Sequence, residues 1–147
     1  MSDTPFTVRP APWDTEANLI RAVRQSVFIE EQNVPPELDF DGSDPDHLHF
    51  LALDPNQTPI GTARLNAETG RVGRMAVLKP WRHHGVGRTL MQTIIDHAQS
   101  LPLTQLNLHA QNTAIPFYQK FHFTITGPEF TEANIPHHQM SLPLANS

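Results

Sequence analysis

Six residues, Arg82, His83, His84, Gly85, Val86 and Gly87, stand between an apolar run at 72–78 that reads as a strand and a segment that reads as an amphipathic helix. That context suits an anion. Two glycines let the backbone approach a ligand with no Cβ in the way, and the first N–H groups of the following helix have no partner of their own. The helix dipole adds the equivalent of roughly half a positive charge at that end, and Arg82 and Arg88 add full charges on either side. The letters also narrow the choice of anion. A P-loop needs Lys and then Ser or Thr after its last glycine, whereas Gly87 is followed by Arg88 and Thr89. A dinucleotide turn wants a small residue at position 90 and an early place in a βαβ unit; this chain has Leu90 and puts the loop past its midpoint. The reading that remains is a pyrophosphate cradle of another kind.

Arg, two residues, Gly, one residue and Gly after a strand resembles the acyl-CoA loop of the GNAT superfamily of N-acetyltransferases. Residues 106–123, LNLHAQNTAIPFYQKFHF, resemble the second cofactor segment of that superfamily: a strand, an Asn, an Ala, a Tyr on a short helix and an aromatic ending. Two further stretches, VFIEEQNVPPELDFDGSD at 27–44 and EFTEANIPHHQM at 129–140, resemble its small bacterial ElaA-like branch. The resemblance runs from about residue 17 to residue 140. It departs at the aromatic ending, where the family usually has Gly and this chain has His122 between Phe121 and Phe123. If the turn there needs a positive φ, His pays a modest steric penalty.

The resemblance implies one N-acetyltransferase domain over 1–147, with its core at about 6–143. The implied fold is α/β (α+β), a mixed and mostly antiparallel central sheet flanked by helices, with two strands splayed at the cofactor cleft. The implied co-substrate is acetyl-CoA. Backbone groups of Met75, Ala76 and Val77 would pair with its pantetheine arm, as an added strand would. Asn112 would offer its side-chain amide to the same arm, the amides from Arg82 to Arg88 would take the phosphates, and Arg74 and Lys79 would help with the outer phosphate. Tyr118, the only tyrosine in the chain, stands where the superfamily commonly places the group that protonates the departing thiolate, and the Val77 N–H would meet the oxyanion. The base stays open. Glu31 is the first choice, as the match to a family Glu-Gln pair; His109 and His137 are the alternatives, since histidine titrates close to neutral pH. Gln32, Asp41, His109, Glu132 and His137 would line the acceptor side. The acceptor expected is a primary amine of a small molecule. A non-catalytic acyl-CoA-binding module and a protein-lysine acetyltransferase are the competing readings.

Composition bounds these expectations independently. At 147 residues the chain is one domain, long enough to bury about two thirds of its unfolded surface. It has no cysteine, hence no disulfide framework or thiolate metal site. The start MSDTPFTVRP lacks the pattern of an export signal, and no apolar stretch approaches the roughly 20 residues that span a bilayer. A cytoplasmic protein with no membrane partner is expected. Nine histidines are present, but the pairs His47/His49, His83/His84 and His137/His138 match no zinc spacing, so no metal is expected. The net charge of −5 argues against nucleic acid. Charge is nevertheless segregated: seven acids and no Lys or Arg lie from Glu30 to Asp46, and six basic residues with one acid, Glu68, lie from Arg64 to Arg88. One stretch suits a cationic partner and the other an anionic one. A homodimer through exposed strand edges is compatible with the sequence and not required by it.

Periodicity places the elements. Residues 6–9 read as an edge strand. Asp14 or Thr15 caps a helix whose apolar positions Ala17, Ile20, Val23 and Val27 recur at three- and four-residue spacing, running to about Phe28. A long loop follows from Pro35. Strands at 47–54, 60–66 and 71–78 make a meander punctuated by Pro55, Asn56, Pro59 and Gly70. A helix at 87–100 turns Leu90, Met91, Ile94, Ile95 and Ala98 to the sheet. A strand at 105–110, a short helix at 114–120, and strands at 124–126 and 138–142 complete the chain.

Overall fold

A computed structural model describes residues 5–145; the first four residues, on which the export reading partly rests, lie outside that range. The sheet order is β1 (Thr7–Pro10), β2 (Leu48–Leu53), β3 (Pro59–Leu65), β4 (Arg71–Val77), β5 (Gln105–Gln111), β8 (Ile135–Pro143) and β6 (Thr124–Ile125), with β7 (Phe130–Glu132) also on β8. Every pairing is antiparallel except β4 with β5. That parallel pair holds at only two positions, Arg71 with Asn107 and Val72 with Leu108. Beyond them the two strands part and leave an open strand edge in the middle of the sheet.

Both faces of β2 are covered, which explains its unbroken apolar run LHFLAL. Leu51 and Leu53 face α1 (Trp13–Arg24), with Ala11 and Ile20, while Phe50 and Ala52 face α3 (Val86–Ala98). The buried stripe of α3 is Val86, Leu90, Met91, Ile94 and Ala98. Burial of side chains this size contributes about 1.5–3 kcal/mol each. Gly61 lets the start of α3 come close to β3: a Cβ there would lie 2.9 Å from Val86 and 3.2 Å from Leu90. The head of the helix is therefore fixed against the sheet beside the place where β4 and β5 part.

Several elements differ from expectation. α1 opens on Pro12 with no side-chain cap, so neither Asp14 nor Thr15 is the cap; with Glu16, Asp14 instead complements the dipole from the first turn. The helix does not stop at Phe28. It widens into a π-helix, Gln25–Glu31, closed by a 3.0 Å bond from the Gln32 N–H to the Val27 carbonyl. The loop after Pro35 contains one α-helical turn, α2 (Pro36–Asp39), and a 3-10 turn, Asp44–Asp46. β8 begins at Ile135 rather than His138 and pairs with β7 through a hairpin whose two turn residues, Ala133 and Asn134, both have positive φ (52° and 64°).

Candidate active site

Gly85, at φ 86°, is the residue that turns the chain into α3, and no side chain caps that helix. The first intrahelical bond is from the Thr89 N–H to the Gly85 carbonyl at 3.0 Å, so the N–H groups before it have no helical partner. They border a cleft of about 1120 Å³ whose rim includes Arg82, His83, Gly85, Val86, Gly87 and Arg88. His84 is turned away from this cleft: its ring meets Trp81 edge-on at 6.0 Å, and its buried Nδ1 has no hydrogen-bond partner.

Met75, Ala76 and Val77 form the floor, on the stretch of β4 that pairs with β3 but not with β5; Ala76, opposite Thr62, turns its backbone groups to β3 and not to the cleft as expected. Backbone direction follows from the antiparallel ladder. The Leu78 N–H donates to the Ile60 carbonyl at 2.9 Å; pairs alternate between bonded and non-bonded, so Val77, opposite Gly61, turns its N–H and carbonyl away from β3 toward the cleft. A bulge in β4, with Arg74 at φ 52°, separates this stretch from the register at Gly73.

The far wall comes from α4 (Ile115–Gln119) and the turns around it, with Ala114, Phe117 and Tyr118. Tyr118 packs edge-on to Phe117 and Phe123 at 5.1 and 6.1 Å, and burial pushes its hydroxyl up to about 12. Its hydroxyl makes no hydrogen bond among the described residues. His122 does adopt a positive φ, 73°, and donates its N–H to the Gln119 carbonyl at 3.0 Å, so the turn closing α4 forms despite the missing glycine.

Asn112 does not face the cleft. Its Nδ2 donates to Glu129 at 2.8 Å and its Oδ1 pairs with His138 Nδ1 at 2.8 Å. Arg74 is not near the loop either. Its guanidinium donates to the Leu38 carbonyl at 3.0 Å and lies 3.3 Å from Asp39 and 3.5 Å from Asp41.

A second cavity of about 310 Å³ adjoins the cleft, and Gln32 and Met75 line both. Its other walls include Phe28, Leu38, Gln111, Glu132 and His137. Gln111 donates to Gln32 at 3.2 Å across the junction. His109 stands behind Glu132, with Nδ1 3.0 Å from the carboxylate. Asp41 is not on the lining: it accepts from the Ser43 amide and hydroxyl at 3.0 and 2.7 Å. Burial would raise that carboxyl, but these bonds, with Arg64 and Arg74, hold it at about 2. Glu31 sits beside the glycine loop, where Arg82 grips both its oxygens at 2.7 and 2.6 Å and holds it below the usual carboxylate range.

The segregated charges largely find each other inside the protein. Fully buried Arg24 donates to Asp44 at 2.7 Å and Asp39 at 3.1 Å, and Arg64 reaches the same Asp44 oxygen at 2.7 Å. The acidic stretch is therefore only partly a surface for a cationic partner. Sequence reasoning missed this network, although a signal existed: Arg24 falls in the same stripe as Ile20 and Val27, and an arginine on a buried helix face requires a buried carboxylate. Among the described residues no cluster of three or more His, Asp or Glu could hold a metal, and no helix is long and apolar enough to cross a membrane.

Comparison with known proteins gives the family. The family model for the acetyltransferase (GNAT) domain matches residues 21–144. The uncharacterized N-acetyltransferase YjcF of Bacillus subtilis is 36% identical over 121 residues, covering 80% of this chain and 86% of the relative. YyaT of the same organism is 36% identical over 140 residues, 90% and 94% of the two chains. The crystal structure of Escherichia coli ElaA superposes with a TM-score of 0.82 at 26% identity, over 93% of this chain and 99% of that one. The chain belongs to the GNAT acetyltransferase family, in its ElaA-like branch, and is an acyltransferase enzyme.

Proposed function

We propose that this protein moves an acetyl group from acetyl-CoA directly to a primary amine of a small molecule. The observation that carries the reading is the junction at Met75 and Gln32: a cleft edged by unpaired helix N–H groups and cations opens there into a small cavity with carboxylate and imidazole groups. The residues suit the co-substrate. Free N–H groups at the head of α3, with Arg88 and Lys120 on the rim, match a diphosphate. The open edge of β4 matches an amide-bearing arm.

Roles for the chain's own groups follow. The Val77 N–H, free and aimed into the cleft, donates to the carbonyl oxygen as it gains negative charge. Tyr118 acts on the sulfur. Burial pushes its hydroxyl up to about 12, above an ordinary thiol, so the oxygen holds its proton. Tyr118 therefore stabilises the leaving sulfur by donating a hydrogen bond, and the proton that stays on sulfur originates on the amine. Gln32 and Gln111 orient the acceptor at the junction.

Thiol release measured across polyamines, amino sugars, amino acids and peptides tests the proposal. At least one small amine should raise release well above hydrolysis. Release with protein substrates alone would reassign the acceptor to protein lysine, and no release with any amine, despite coenzyme A binding, would make the protein a binding module.

A further inference from the structure

Which group takes the proton from the amine is settled neither by family nor by fold. Four titratable side chains line the acceptor cavity: Asp39, Arg74, Glu132 and His137. Arg74 is permanently charged. Asp39 is buried and bonded to Arg24, with Arg74 3.3 Å away. Glu31 lies outside this cavity's lining and is gripped by Arg82.

We propose that His137 is the general base, with Glu132 and His109 as positioning residues beside it; the assignment rests on the acetyl-transfer reading. His137 is 5% exposed. Its Nδ1 lies 2.6 Å from the Ile135 carbonyl. A carbonyl only accepts, so Nδ1 carries the hydrogen and Nε2 keeps its lone pair. Phe130 stacks on the ring at 5.7 Å with a 22° interplanar angle and fixes its plane. Nε2 lies 3.8 Å from one Glu132 oxygen, and His109 Nδ1 engages the other at 3.0 Å. The β7–β8 hairpin creates this arrangement: its tight turn returns the chain so that Phe130 lies opposite His137 and Glu132 opposite Ile135. The charged or titratable groups around His137 are Glu132 on β7, His109 on β5, and Asp39 and Arg74 across the cavity.

The proton balance is complete. The ammonium gives one proton to His137 Nε2, and its nitrogen pair forms the C–N bond at the thioester carbon. The C–S bond breaks with its electrons going to sulfur, where a second amine proton ends. The proton on His137 leaves past Glu132 and His109, which are 47% and 29% exposed at the side chain.

The test uses acetyl-CoA and whichever amine releases thiol fastest in the panel. His137→Gln should lower kcat about 100-fold with the KM for acetyl-CoA unchanged. Imidazole added to His137→Ala should restore turnover, which a structural role would not do. Glu132→Gln and His109→Asn should each lower kcat, Glu132→Gln by about tenfold, again with KM for acetyl-CoA unchanged. In the unaltered protein, ring ¹⁵N chemical shifts should show the neutral His137 hydrogen on Nδ1, a readout independent of whether any variant folds. Full turnover in His137→Gln, or the hydrogen on Nε2, overturns the assignment while leaving acetyl transfer standing. Absence of thiol release by the unaltered protein overturns both.

Discussion

Arg82 holds Glu31 with both terminal nitrogens, at 2.7 and 2.6 Å, while its Nε donates to the Val77 carbonyl at 3.0 Å. One side chain thus ties the glycine loop, the π-helical end of the first helix and the open strand edge together. On the acetyl-transfer reading proposed above, it also occupies an acceptor that a pantetheine amide would use, so cofactor binding would compete with it.

Glu31→Gln should therefore tighten coenzyme A binding. The pair is partly exposed, and such pairs are worth about 0–1 kcal/mol, so the dissociation constant should fall by up to about fivefold by calorimetry and by less at high salt. The pH dependence has a definite sign. Arg82 lowers the Glu31 carboxyl from its ordinary 4.5, so the clasp is intact above that value and is lost as pH falls through the lowered one. An unchanged affinity would mean that Arg82 keeps Glu31 in the complex.

Tyr118→Phe should lower kcat about 100-fold and leave coenzyme A affinity intact. Because the hydroxyl makes no hydrogen bond among the described residues, the melting temperature should not fall. Burial raises the group to about 12, so its contribution to stability is complete below the ordinary tyrosine value of 10.0 and is lost as pH rises through about 12. Turnover should accordingly show no loss from Tyr118 ionisation up to about pH 10. Unchanged kcat in the variant would remove Tyr118 from the chemistry.

Asp44→Asn tests the buried network. It removes the carboxylate shared by Arg24 and Arg64 at 2.7 Å each and leaves both guanidinium groups under-compensated in the interior. The expected loss is about 3 kcal/mol, or roughly 6–12 °C in melting temperature. Acid should act in the same direction through Asp41, whose contribution is present above 3.8 and is lost as pH falls toward about 2. Asp39 opposes this, since burial raises its carboxyl against the pull of Arg24. A melting point unaffected by Asp44→Asn would show that water already reaches the pair.

The parts of the site visible in the letters are those governed by local rules. The glycine loop, the stripe of α3 and the meander are set by turn chemistry and by periods of 3.6 and 2, and each boundary fell within a few residues. The acceptor side was less legible because tertiary contacts make it. Nothing local marks Gln25–Glu31 for a π-helix, yet that widening puts Gln32 at the junction and Glu31 against Arg82. Ala133 at positive φ carries no turn signal, yet the hairpin around it brings Glu132 to His137. The side-chain amide of Asn112 matched a motif, but its bonds go to Glu129 and His138.

His122 offers a last test of how local strain is carried beside the site. At φ 73° it is in the left-handed region, is exposed, and leads into buried Phe123. The left-handed form costs an ordinary L-residue about 1–2 kcal/mol, less for histidine, and glycine gives back part of that through its greater unfolded freedom. His122→Gly should therefore gain roughly 0.5 kcal/mol, or about 1–2 °C by calorimetry. The bonds closing the turn, from the His122 and Phe123 N–H groups to the Gln119 and Tyr118 carbonyls, are backbone groups that glycine also has. Tyr118 should consequently keep its place and kcat its value. A loss of stability would mean that the imidazole contributes more to this turn than its backbone costs.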